Sequence, residues 1–148
     1  MHKSGRPFTD PSGDRLRDWL GLDEAAFYDA EKVAIAPMGF CFPGLDARGG
    51  DLPPRKECAP LWQARVAEAL PDVRLTLLIG AHAQKFHLKE RVKKNLTDTV
   101  AAWREYLPDF FPTPHPSWRN NHWLRKNPWF EAEALPEMRR RVSAAIGE

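Results

Sequence analysis

Strand-like runs alternate with helical patterns along this chain, and that alternation restricts the fold more than any other feature. "VRLTLLIG", residues 73–80, is an apolar run of strand length ended by Gly80. "DFFPTP", residues 109–114, reads as a second strand, and "KVAIAPM", residues 32–38, as a third that ends near Pro37. Helical patterns lie around them. "DPSGDRLRDWLGLD" has Ser12 as N-cap, an apolar stripe of Leu16, Trp19 and Leu20, and Gly21 as its stop. "PLWQARVAEAL" opens at Pro60 and turns Leu61, Trp62, Val66 and Ala69 inward. "NLTDTVAAWREYL" carries Val100, Trp103 and Leu107 on one side. "NPWFEAEALPEMRRRVSAAI" closes the chain, with Asn127 as cap, Pro128 in the first turn and a kink expected at Pro136. The order helix, strand, helix, strand, helix, strand, helix implies an α/β fold. Its expected form is a three-layer αβα arrangement around a short parallel sheet, one domain over residues 1–148.

Composition narrows the class. The chain has 148 residues, 43% of them hydrophobic and 28% charged, the balance of an ordinary globular domain. Its apolar runs are far shorter than a bilayer span, and "MHKSGRPFTD" has no apolar signal region, so a cytoplasmic protein without a membrane partner is expected. Net charge is only +2, yet basic residues cluster. "KERVKK" and "EMRRRV" read as solvated helix faces. Arg119, Arg125 and Lys126 are instead interleaved with Trp118, Trp123 and Trp129, a pattern suited to phosphate contact with aromatic support.

In a parallel α/β sheet, ligands bind beyond the carboxyl ends of the strands. The loops after Met38, Gly80 and Pro114 leave those ends and should converge. The first offers Cys41 and Phe42, the second Gly80 and His82, the third His115, Ser117, Trp118 and Arg119. Phe8 precedes the first helix. No His-x-x-x-His pair, nucleophile elbow or glycine-rich phosphate loop accompanies them, which removes the matching zinc, serine-hydrolase, kinase and dinucleotide readings.

"GRPFTDPSGDRLRDWLGL", "GFCFPG" followed by "KECAPLW", "LLIGAHAQ" and "PTPHPS" stand in an order that resembles the uracil-DNA glycosylase superfamily. The likeness is to its bacterial iron–sulfur branch and to related uncharacterised glycosylase-like proteins, over nearly the whole chain. It implies a DNA repair enzyme that flips a deaminated or damaged base, uracil foremost, out of the duplex and cleaves its glycosidic bond. Phe8 resembles the aromatic that stacks on the flipped base. His115 resembles the catalytic His that hydrogen-bonds the base and stabilises charge as the bond breaks. Ser117, Trp118, Arg119 and Asn120 resemble the loop that enters the minor groove, where Trp118 either fills the vacated space or packs against Trp123. Cys41 and Cys58 resemble two of four cluster ligands; taken alone, they read as two buried reduced thiols. The implied partner is DNA, bound by a monomer.

The resemblance also implies departures. The family's catalytic strand and Gly-x-x-Pro-Gly type turn, with its acidic group, lie upstream of "SGRPF", and here Met1 stands three residues before Ser4. The expectation is therefore an N-terminally incomplete domain, lacking an interior strand and two cluster Cys. No cofactor is expected on this chain itself, and an iron–sulfur cluster only in a complete protein. Pro37 stands where uracil-cleaving relatives commonly carry an Asn that reads the base edge. A catalytically inert DNA-binding paralogue or fragment is the alternative.

Overall fold

The computed structural model describes residues 5–147. Helix α1 (Pro11–Leu20) is capped by Asp10, whose carboxylate accepts from the Gly13 N–H at 3.1 Å, with Pro11 in the first turn. Ser12, the expected cap, is one residue inside the helix: Asp10 has the extended backbone a cap requires, and Pro11 has no N–H to satisfy. Gly21 ends α1 at φ 69°, and the Leu22 N–H reaches back to the Arg17 carbonyl. Leu16, Trp19 and Leu20 are buried as the stripe predicts. A single turn, α2 (Glu24–Phe27), follows.

Residues 32–38 form no strand. Val33 and Ile35 are half-buried while Lys32, Ala34 and Ala36 are exposed. The segment keeps the alternation of a strand but belongs to no sheet among the described residues. Helix α3 (Cys58–Ala69) buries Ala59 and Gln63. Leu61 and Trp62, expected inside, are 56% and 41% exposed, so this face of α3 is turned away from the core. Trp62 meets the Phe40 ring edge-on at 6.2 Å, and Arg65 covers its face.

Strand β1 (Thr76–Ile79) pairs in parallel with β2 (Phe110–Thr113), Leu77 opposite Phe111 and Leu78 opposite Pro112. Between them run α4 (Gly80–Leu88), α5 (Leu96–Ala101) and a 3₁₀ turn over Trp103–Tyr106. Asn95 caps α5. Phe111, Leu77 and Ile79 face a core built with α1 and the C-terminal helix, where Trp103 stacks on Phe111 at 5.0 Å. Leu78 and Phe110 face the opposite cluster with Leu88 and Tyr106. Helices therefore cover both faces of a parallel sheet, the α/β arrangement expected.

After β2 come a 3₁₀ turn (Trp118–Asn120), α6 (Asn121–Lys126), a five-residue π-turn (Phe130–Ala134) and α7 (Leu135–Ile146). The expected kink at Pro136 takes the form of that wide turn. It places Pro136 in the first turn of α7, where a missing N–H leaves no bond unmade. Asn127 does not cap through its side chain; its carbonyl oxygen accepts from the Trp129 indole at 3.2 Å.

Among the described glycines, Gly13 has the least room for a side chain. A Cβ there would sit 1.7 Å from the Phe8 carbonyl oxygen, a backbone atom that no rotamer change can move. Gly13→Ala should lower the unfolding free energy by about 1–3 kcal/mol. Urea unfolding of both proteins checks this, and a loss within measurement error would show that the 8–13 turn yields freely.

Candidate functional site

The carboxyl ends of β1 and β2 are tied together by one buried side chain. The Gln84 amide, from α4, donates to the Leu78 carbonyl at 3.3 Å and the Thr113 carbonyl at 2.8 Å. Gly80, at φ 81°, turns β1 directly into α4, and a Cβ there would lie 3.9 Å from the His115 Cβ. His115 leaves β2 between two buried prolines, Pro114 and Pro116, and is itself exposed at the mouth of a large cleft.

His115 has a defined proton arrangement. Its Nδ1 accepts from the Ser117 N–H at 3.2 Å, so the neutral ring carries its proton on Nε2. The surrounding protein desolvates the ring and pushes its pKa below the usual histidine value, against the opposing pull of Asp10 and Asp51. Near pH 7 the group is thus a neutral imidazole with one N–H to offer.

Phe8 lies beside it, the ring centroids 6.5 Å apart and 31° from parallel. The backbone of Phe8 is left-handed at φ 58°, a conformation costing a side-chain-bearing residue about 1–2 kcal/mol. Three neighbours hold it there. Arg17 and the Tyr28 hydroxyl both donate to the Phe8 carbonyl, at 3.2 and 3.1 Å, and Gly13 leaves room for that oxygen. The single Tyr28 hydroxyl proton is shared between the Phe8 carbonyl and the Pro7 carbonyl, which lies at 2.7 Å. The Phe27 ring meets Phe8 edge-on at 6.3 Å. Phe8, Asp10, Asp51 and His115 all line the same cleft.

The loop after His115 is braced internally. Asn120 donates to the His115 carbonyl at 2.7 Å, Ser117 Oγ accepts from the Arg119 N–H at 3.3 Å, and Arg15 donates to the Ser117 carbonyl at 3.2 Å. Ser117 and Asn120 are therefore used within the loop, while Trp118, 70% exposed, and Arg119 project from it. The Arg119 guanidinium lies 5.9 Å from the Trp118 ring centroid. It also helps to hold the Asp46 carboxyl below its ordinary range, after the Gly50 and Arg48 N–H groups. The alternative packing of Trp118 on Trp123 is not adopted. Trp123 meets Trp129 and Phe130 edge-on and donates to Thr97 at 2.8 Å.

Of the other residues in the converging loops, Cys41 and Phe42 are exposed and Cys58 is half-buried at the start of α3. Both thiols are free. An iron–sulfur cluster requires four ligands of this kind. Among the described residues no three His, Cys, Asp or Glu side chains form a metal-binding group, so this donor set does not fit a cluster. Sequence reasoning passed over Asp10, Asp51, Arg15, Arg17 and Tyr28. The Asp10-Pro11 pair is a cap signal that pointed to the first; the others carry no local signature, because long-range contacts bring them in.

A histidine whose folded pKa lies below its unfolded value of 6.5 binds fewer protons folded than unfolded between the two. Its contribution to stability is whole above 6.5 and is lost as pH falls through the folded value. His87, also lowered by burial, acts in the same direction. Unfolding free energy should therefore decline as the solution is acidified below 6.5, and His115→Gln should remove part of that decline. An NMR titration that places His115 above 6.5 would mean that Asp10 and Asp51 outweigh desolvation.

No helix of the described residues is long and apolar enough to cross a membrane. The family model described as the uracil DNA glycosylase superfamily matches residues 1–139. That stretch holds α1, both strands, Phe8, His115 and the braced loop, and the matched family is one of DNA glycosylase-type repair proteins acting on DNA. By the extent of that match, this chain belongs to the uracil DNA glycosylase superfamily.

Proposed function

We propose that this chain removes a deaminated or damaged base from DNA, with the base stacked on Phe8 and one edge at His115. The observation that carries the reading is the convergence of those two rings at one cleft, directly beside a loop that projects Trp118 and Arg119. Arg119 meets backbone phosphate, and Trp118 wedges into the stack as the nucleotide turns out. The extruded base lies on the Phe8 face, whose position is held by Arg17, Tyr28 and Gly13.

The reaction breaks the bond between C1′ and the base nitrogen, and its electron pair leaves with the base. Water supplies the new C1′–O bond and releases a proton. Negative charge grows on the base carbonyl oxygens during this step. A neutral imidazole with its proton on Nε2 donates to such an oxygen without giving up a positive charge. The donor is already oriented by Ser117, so little reorganisation accompanies the reaction. Uracil is the base implied by the family name, and hypoxanthine is the other deaminated base to test.

One observation favours an inert DNA-binding form. Pro37 lines the cleft with no side-chain donor, and its carbonyl is occupied by Gln63 at 2.9 Å. Specific reading of a base edge needs polar partners that Pro37 does not supply. Release of free base from uracil- or hypoxanthine-containing duplex distinguishes the two readings. Salt-dependent binding without release of either base would leave only the binding form.

His115→Ala should reduce base release about 10²–10³-fold, the usual effect of losing one donor to a developing anion. Duplex affinity should change little, since the group acts mainly in the transition state. Equal losses in binding and release would make His115 a structural residue. Arg119→Ala should weaken binding across sequences and lower the slope of log affinity against log salt by about 1. An unaltered slope would remove Arg119 from the DNA contact.

A further inference from the structure

Residues 44–52 form a small closed loop that meets the 117–120 turn. Its ends are paired: the Leu52 N–H donates to the Gly44 carbonyl at 2.9 Å, Leu45 and Asp51 form an antiparallel bridge, and the Asp46 N–H donates to the Gly50 carbonyl at 2.7 Å. The Asp46 side chain builds the turn between them. Its Oδ1 accepts from the Arg48 N–H at 2.8 Å and the Gly50 N–H at 2.9 Å, the local bonding that suits Asp to tight turns. The loop reaches the cleft through Asp51, which lines it together with Phe8 and His115.

The second carboxylate oxygen of Asp46 has a different neighbour. A Cβ on Gly50 would lie 3.0 Å from Asp46 Oδ2 and 3.2 Å from Arg119 Nη1. Glycine at position 50 therefore lets the carboxylate and the guanidinium close on a space that any side chain would fill. The electrostatic consequence is visible at Asp46: after the Gly50 and Arg48 N–H groups, Arg119 is a further influence that lowers its carboxyl. The two oxygens thus divide the work. Oδ1 shapes the loop, and Oδ2 meets the cation that projects from the 117–120 turn beside Trp118. A phosphate that takes the same guanidinium brings a second negative charge against Asp46, and like charges repel.

We infer that Asp46 is a positioning residue for Arg119: it holds the guanidinium on the 44–52 loop in the free protein and competes for it with DNA phosphate, so that it sets how tightly duplex is bound. The pairing stands on the loop geometry alone, and the competition rests on the DNA reading given above. Arg–phosphate contacts are strong and fork-shaped, so phosphate wins the exchange, but each binding event must first part Arg119 from Asp46. Phosphate contacts carry no sequence information, so the cost falls equally on every duplex.

Fluorescence anisotropy of a labelled, undamaged duplex with the 148-residue chain tests the competition. Asp46→Asn keeps the Oδ1 acceptor and removes the charge. It should tighten binding about two- to fivefold, the scale of an exposed ion pair. Gly50→Ala leaves the net charge unaltered and crowds the guanidinium away from the carboxylate, so it should tighten binding in the same direction. Neither gain should survive in an Arg119→Ala background. A gain from Asp46→Asn that persists without Arg119 would make Asp46 a general repulsive charge and overturn the proposal. No gain from either variant, in a protein whose binding Arg119→Ala weakens, would overturn it and leave the DNA reading intact. Without DNA, an NMR titration of the Asp46 carboxyl should move upward in Arg119→Ala; an unmoved titration would overturn the pairing itself. A carboxyl that moves, together with duplex binding that no variant alters, would overturn the competition through the failure of the DNA reading, and the two failures are thereby told apart.

Discussion

The parallel ladder between β1 and β2 is four residues long, and the placement of everything else follows from its register. Pairing Leu77 with Phe111 and Leu78 with Pro112 sends Leu77, Ile79 and Phe111 to one core and Leu78 and Phe110 to the other. A slip of one residue would exchange the two faces and bury the wrong set. The same register ends both strands at one level, where Gln84 ties the Leu78 carbonyl of β1 to the last carbonyl of β2, that of Thr113. Gly80 and His115 then emerge side by side. So short a ladder cannot hold itself; the helices packed on each face supply most of its stability.

Around this ladder, polar atoms do positioning work that apolar packing cannot. Phe8 sits in an unfavourable backbone region and stays there through two donors to its carbonyl and a glycine that gives the oxygen space. Backbone strain at a residue held so firmly is characteristic of functional sites. His115 receives one N–H from Ser117 and loses solvation to its surroundings, and the two effects together select a neutral ring with a known tautomer. Exposed ion pairs such as Arg104–Glu133 have no such directing role and contribute little.

The elements that the sequence made legible were those whose signal is local. The Leu16, Trp19 and Leu20 stripe, the strand before Gly80 and the strand leading to His115 each carry their pattern within a few residues, and each is present, although of the run before Gly80 only Leu78 is fully buried. Where the reading erred, a tertiary circumstance had decided. Residues 32–38 have the composition of a strand but no neighbouring edge among the described residues, and a strand is defined by its partner. Leu61 and Trp62 are apolar, yet both are exposed on a helix face turned away from the core, where the Trp62 ring meets the ring of Phe40 and the guanidinium of Arg65. The cap of α1 moved from Ser12 to Asp10 because Pro11 already occupied the first helical position. At the candidate site, Phe8, His115 and the 117–120 loop were named from family motifs. Asp51, Arg15 and Tyr28 reach it only through the fold.

The bracing of the 115–120 loop ties its shape to the tautomer of His115. Ser117 contributes its N–H to the imidazole and its hydroxyl to the Arg119 backbone, while Asn120 returns to the His115 carbonyl. Any displacement of Trp118 or Arg119 by an approaching surface strains those same bonds. If Ser117 withdraws its N–H, Nδ1 is freed and the preference for a proton on Nε2 disappears. The tip of the loop and the choice of tautomer about three residues away are thus linked through one short run of hydrogen bonds, with no moving domain between them.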